Sequence, residues 1–153
     1  MSAKNAFLRY ALFNEPYNSE KKMKNDTVKF ERLTKQNFSG YSLDSFVRHQ
    51  EVTQCWRNVD GEWKLLPVVF TEEWNREECR RIAKNISENL DKNIIGYGAF
   101  SDGTVVGYIT VGTSFFGSRG QYVQLVEFEV SEEYRGKKSE KGCLNLAVKR
   151  PDQ

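Results

Sequence analysis

Side chains with chemistry to offer are concentrated in one run, Leu125-Val126-Glu127-Phe128-Glu129-Val130-Ser131-Glu132-Glu133-Tyr134-Arg135-Gly136-Lys137. Its first half alternates apolar and acidic residues, the period of a half-buried strand. Glu127 and Glu129 therefore share one face, while Val126, Phe128 and Val130 share the other. A carboxylate so placed can act as a general base, directly or through a water, when its surroundings tune its proton affinity. The same two residues also read as ordinary surface carboxylates on a half-exposed sheet, because Asp and Glu are mostly exposed. Glu127 is the better candidate of the two, being further from the turn. The second half of the run closes on Arg135-Gly136-Lys137, two cations around a glycine. Unpaired backbone N–H groups at a helix start bind phosphates, and glycine lets that backbone come close. Out of context the triplet is a solvated basic turn; directly after a strand it is a candidate anion-binding loop.

The elements that must hold these residues can be read from periodicity. Ile94 to Phe100 and Thr104 to Thr113 form alternating strands around Asp102-Gly103, a strong hairpin signal. After a loop over Phe115 to Gly120, Gln121 to Val130 is the third strand of a meander. A helix is expected from about Glu72 to Leu90, capped by Thr71, with Cys79, Ile82, Ala83, Ile86 and Leu90 on one face. Lys35 to Glu51 also reads as helical, with Phe38, Leu43, Phe46 and Val47 buried. Val28 to Leu33 is strand-like. Between the helices, Val52 to Phe70 suggests a short hairpin or irregular excursion about Asp60-Gly61, extended before Pro67.

In this order the pieces Gly96-Tyr97-Gly98-Ala99-Phe100, Val106-Gly107-Tyr108-Ile109 and Val130-Ser131-x-x-Tyr134-Arg135-Gly136 give the chain a likeness over roughly residues 28–137. It resembles the GCN5-related N-acetyltransferase (GNAT) family. The resemblance implies an α/β (α+β) fold, a mixed and mainly antiparallel sheet flanked by helices, without the C-terminal helix-strand portion. It implies acetyl transfer from acetyl-CoA to a primary amine, small molecule or peptide, by direct attack. Glu127, or less favourably Glu129, would be the base. The main chain of Phe128, Glu129 and Val130 would pair with the pantetheine arm, and Arg135, Gly136 and Lys137 would meet the diphosphate. The tyrosine with which many members protonate the leaving thiolate would fall beyond Gln153.

The family pattern then breaks. Its loop continues Arg-x-x-Gly-x-Gly/Ala, whereas in this chain Lys138-Ser139-Glu140-Lys141-Gly142-Cys143 follows and the sequence ends at Gln153. One base lost in the codons of Lys137 and Lys138 would account for this, since the restored frame permits a glycine loop and an amphipathic helix. The plainer reading is a charged, disordered end. The expected organisation is therefore a variable leader over 1–22, with Met23 an ancestral start, a partial acetyltransferase domain over 23–137, and an atypical, out-of-frame tail over 138–153. Such a chain would be a weak or inactive enzyme. Its last strand would form an open edge that invites self-association. The alternative from another class is a non-catalytic interaction module that pairs through this edge.

Composition sets outer limits. A chain of 153 residues with 39% hydrophobic and 29% charged residues suits one globular domain. A net charge of +2 without a basic stripe argues against a nucleic-acid partner. No apolar stretch approaches a membrane span. Cys55, Cys79 and Cys143 are odd in number and widely spaced, which fits reduced thiols in a cytoplasm better than disulfides or a zinc site. His49, the single histidine, is expected on the first helix in a surface or packing role. Trp56, Trp63 and Trp74 could line an acceptor pocket, although aromatic residues usually serve the core.

Overall fold

The computed structural model describes residues 27–137 and 139–148. The leader expected over 1–22 and the end of the tail lie outside the described residues. Two compact units emerge: the segment His49–Glu73 is one, and the described residues of Met23–Arg48 and Trp74–Gln153 belong to the other.

The first unit is a long antiparallel hairpin of β2 (His49–Val59) and β3 (Glu62–Glu73). Asp60 and Gly61 take left-handed φ values of 54° and 86° at its turn, as a tight hairpin with right-handed twist requires. Asn58 Oδ1 accepts the Gly61 N–H at 3.0 Å. The hairpin is longer than the excursion expected, and it absorbs both His49 and Thr71. His49 therefore stands on a strand, opposite Glu73, and not on a helix.

The second unit holds the sheet that carries the meander. Strands β1 (Lys29–Arg32), β4 (Ile94–Ser101), β5 (Thr104–Phe116) and β6 (Tyr122–Val130) lie in the order β1-β4-β5-β6. Every pairing in it is antiparallel. The expected meander is there, with Asp102 and Gly103 at φ 48° and 77° in its first turn. One face of this sheet packs on helix α1 (Arg76–Asn89), burying Cys79, Ile82, Ala83 and Ile86 with Leu33, Phe38 and Tyr108. Leu33 sits on two glycines of β4. A Cβ at Gly98 would come within 2.7 Å of its Cδ2, and one at Gly96 within 2.9 Å of its Cδ1.

Helix α1 begins four residues later than expected. Asn75 Oδ1 accepts the Glu78 N–H at 2.9 Å, and Glu78 Oε2 accepts the Asn75 N–H at 3.0 Å. This reciprocal capping box satisfies two orphan donors at once, while Thr71 to Glu73 are spent on the β3 ladder. The helix expected over Lys35 to Glu51 does not form; turns occupy 35–37 and 40–45. Asn37 takes the Thr34 N–H at 2.8 Å and gives its own Nδ2–H to the Arg32 carbonyl at 2.9 Å. Ser42 Oγ accepts the Ser39 N–H at 2.9 Å. Short polar side chains thus divert backbone groups that a helix would use. Phe38, Leu43 and Phe46 are buried as expected, but Val47 is exposed.

Asp44 in these turns receives Arg80 at 2.8 Å and Arg76 at 3.0 Å from helix α1. Hydrogen bonds from Arg80, then Arg76, hold its carboxyl well below the usual range. A depressed carboxyl stabilises the fold above its unfolded pKa and loses that contribution as pH falls. Asp44→Asn is expected to lower the thermal midpoint at pH 7, and the gap to wild type is expected to narrow as pH drops below about 4. A gap independent of pH from about 7 to about 2.5 would show that the ion pairs contribute nothing.

The opposite face of the sheet is covered by helix α2 (Ser139–Val148). The segment read as an atypical charged tail is thus helical where the structure describes it. Cys143 is wholly buried with Ala99, Val106 and Ile109, and Ala147 packs beside them one turn on. Gly142 lies against the Phe30 ring so closely that a Cβ there would overlap it. Among the described residues no strand follows α2, and β6 is an edge of the sheet.

Candidate active site

The two glutamates of β6 stand on the α1 face of the sheet, opposite β5. Glu129 pairs in register with Tyr108, and Glu127 with Thr110. The register then steps to Val111↔Leu125, so Val126 is an extra residue on β6. Such a bulge bends an edge strand and re-aims the side chain beside it, which in this strand is Glu127. At the other end, Gly107 lets the strands close up: a Cβ there would meet Val130 Cγ2 at 3.3 Å and the Glu129 carbonyl at 3.4 Å.

The two carboxylates have different surroundings. Arg48 Nε lies 2.8 Å from Glu129 Oε2, with side chains only 10% and 22% exposed. The Arg48 guanidinium also stands 5.9 Å above the Trp74 ring, and Trp74 stacks on Phe46 at 6.2 Å. Backbone bonds deliver Arg48 to this spot: the Val47 N–H donates to Ser131 Oγ at 3.0 Å. The Glu132 N–H donates to the Val47 carbonyl at 2.9 Å, and the Trp74 N–H to the Arg48 carbonyl at 3.0 Å. Glu129 is therefore a partner in a largely desolvated ion pair. Glu127 accepts the Tyr108 hydroxyl at 3.2 Å. Tyr108 has no exposed surface. Burial first, and then the charges of Glu127 and Glu129, push its phenol well above the ordinary value, so it stays protonated and donates.

Thr110 Oγ1, also in this stripe, is buried and has no hydrogen-bond partner among the described residues. A stranded hydroxyl costs about 1–3 kcal/mol. Thr110→Val, which keeps the shape, is expected to raise unfolding free energy by about 1 kcal/mol. A loss of stability in urea titration would instead show that the hydroxyl holds a water beside Glu127.

The phosphate-side candidates lie at the far end of β6. A 3₁₀ turn over Glu132–Tyr134 leads to Arg135. Arg135 folds back so that its Nε donates to the Val130 carbonyl at 3.1 Å, tying the loop to the strand. Gly136 follows at φ 71°, with open space around the position a Cβ would take. Lys137 is exposed, its ammonium 5.4 Å over the Tyr134 ring. The phase of the ladder sorts the strand's backbone. The Ser131 N–H donates to the Val106 carbonyl at 2.9 Å, making that pair a hydrogen-bonded one. Alternation along the register then points the backbone groups of Glu129 and Glu127 toward β5, and those of Phe128 and Val130 toward the open edge. The Phe128 side chain joins the α2 face.

The structure thus places Glu127 and Glu129 together with Tyr108, Thr110, Arg48 and Trp74, and puts Phe128, Val130, Arg135, Gly136 and Lys137 along the strand edge and loop. Trp56 and Trp63 belong to the hairpin unit. Sequence reasoning alone does not single out Tyr108, Thr110 or Arg48 as site residues. Counting across the meander would set Tyr108 and Thr110 opposite the glutamates; no local signal marks Arg48. Among the described residues there is no group of side chains that could hold a metal ion. No helix among them is long and apolar enough to cross a membrane.

A three-stranded antiparallel meander that ends in a bulged acidic edge strand, a glycine turn and a helix is the arrangement of an acetyltransferase fold. Residues 56–146 match the acetyltransferase (GNAT) family, and the chain belongs to it. The crystal structure of nourseothricin acetyltransferase has the same fold, with a TM-score of 0.55 at 15% identity over 78% of this chain. The chain spans 64% of the length of that structure. No curated protein matches it by sequence.

Proposed function

We propose that this chain transfers an acetyl group from acetyl-CoA to a primary amine, with Glu127 as general base. The observation that carries the choice of base is the 3.2 Å hydrogen bond from the neutral Tyr108 hydroxyl to Glu127 on the meander's last strand. A half-buried carboxylate hydrogen-bonded to a phenol can take a proton from an ammonium at the face of the sheet.

The residues present fit the cosubstrate. The Phe128 backbone and the Val130 N–H face the strand edge, where an amide-bearing arm can add as a further strand would. Gly136 and Lys137, with the start of α2 behind them, offer a turn open to an anion, and Arg135 braces that turn. Acetyl-CoA, when bound, supplies the activated acyl group. Glu127 receives the proton from the amine nitrogen, leaving the lone pair free to attack. The three cysteines are free thiols, in keeping with a reducing cytoplasm.

The test is release of free thiol from acetyl-CoA in the presence of an amine panel that includes polyamines, aminoglycosides, peptide N-termini and nourseothricin, the compound that names the structural neighbour. Amine-dependent thiol release supports the reading. Calorimetry showing no acetyl-CoA binding at millimolar concentration overturns it.

The open β6 edge favours a second reading, an interaction module in which a strand from another chain pairs along Phe128 and Val130 instead of the pantetheine arm. That reading expects a concentration-dependent dimer in sedimentation and no thiol release.

A further inference from the structure

We propose that Tyr108 is the positioning residue of this site, its hydroxyl fixing the Glu127 carboxylate and setting the pH at which that carboxylate becomes free to accept a proton. This rests on the reading of Glu127 as base and adds a group that positions it.

Three observations converge. The Tyr108 hydroxyl reaches Glu127 Oε2 at 3.2 Å. The ring is locked: Tyr108 is wholly buried in the core with Leu33 and Phe38, and its ring centroid is 5.8 Å from that of Phe46. It therefore cannot touch an acceptor amine itself, and its action passes through Glu127. Third, the extra residue Val126 precedes Glu127 on β6, and such a bulge re-aims the side chain beside it, here onto the Tyr108 hydroxyl.

Among the described residues, Glu129, Arg48 and Cys79 are charged or titratable groups near the pair. Glu129 lies two residues along β6, its charge offset by Arg48 from the segment before the hairpin. Cys79 approaches Tyr108 from helix α1, its thiol held neutral by burial. The uncharged Thr110 completes the β5 side. A phenol that donates to a carboxylate favours its charged form. Removing the tether therefore removes a contribution that favours the charged carboxylate.

The experiment reads the carboxyl directly, so that it does not depend on turnover. The Glu127 side-chain carbon is followed by ¹³C NMR from about pH 3 to about pH 9 in wild type, Tyr108→Phe and a protein with 3-fluorotyrosine placed at 108. Tyr108→Phe is expected to move the Glu127 midpoint upward by about one pH unit. The more acidic fluorophenol is a stronger donor and moves it downward, which keeps the test alive where the Phe variant folds poorly. Phe46→Leu, which loosens the same ring packing but leaves the hydroxyl, is expected to leave the midpoint in place. Midpoints unchanged in both Tyr108 variants overturn the proposal, as does a Phe46→Leu shift as large as that of Tyr108→Phe. An acidic limb of the pH–rate profile that moves with the carboxyl supports it. If the carboxyl moves and the rate profile does not, Tyr108 tunes Glu127 but Glu127 is not the base, and the failure then lies with the proposed mechanism alone.

Discussion

Glu127→Gln is expected to lower kcat/KM for amine acetylation by about 10³-fold, within the range that a positioned general base supplies. The substitution keeps the shape and can still accept the Tyr108 hydroxyl, so the fold should survive. Acetyl-CoA affinity should hold too, because the groups assigned to it are backbone atoms of Phe128 and Val130 and the turn at Gly136. The loss belongs in the step that takes the amine's proton, and the acidic limb of the pH–rate profile should disappear with it. Running the reaction at higher pH, where more of the amine is already neutral, should recover part of the rate. Glu129→Gln provides the contrast: its cost should fall on stability, with the acidic limb kept. Should the two substitutions lower kcat/KM equally and both leave the limb intact, the assignment of Glu127 is wrong.

The second large effect concerns Arg48. Replacing it with Met leaves Glu129 as a largely buried carboxylate without its counter-charge, and breaking such a pair typically costs about 3–5 kcal/mol. Glu129 keeps 22% of its side-chain surface exposed, so water can partly repay the loss, and a value of about 3 kcal/mol is expected. Removing both charges is a different matter. Arg48→Met with Glu129→Leu no longer requires a charge to be desolvated, and most of the stability should return. Urea unfolding of wild type, both single variants and the double variant closes the cycle. Additive losses would mean that the contact at 2.8 Å contributes no coupling. The same set separates structure from chemistry, because a stable double variant that still acetylates would show that Glu129 is dispensable to the reaction.

Much of what positions the site is legible along the chain. The meander can be read from the alternation in Ile94 to Thr113 and Leu125 to Val130, and its first turn from Asp102-Gly103, where left-handed φ values are needed. Pleat parity alone puts Glu127 and Glu129 on one face. The apolar face of α1 follows from helical spacing, and Phe38, Leu43 and Phe46 are recognisable as core although the helix expected around them does not exist. Their burial comes from composition and neighbourhood, whereas the helix loses to the competing side-chain bonds of Asn37 and Ser42. The start of α1 differs from expectation for a similar reason: Thr71 is an acceptable cap, but the reciprocal pair Asn75 and Glu78 is a better one, and the hairpin has already taken Thr71.

What the sequence by itself determined was local: which segments alternate, where the backbone turns, and which side chains must avoid water. Those properties follow from φ/ψ preferences and hydrophobic periodicity, which act over a few residues. The setting of the two neighbouring glutamates is not local. It depends on Arg48, 81 positions before Glu129, and on Tyr108, 19 positions before Glu127. It also depends on the register that sets them face to face and on the extra residue Val126. Only the tertiary structure brings these groups together, because the charges, hydrogen bonds and water that set a carboxylate's proton affinity come from segments that meet only once the sheet is assembled.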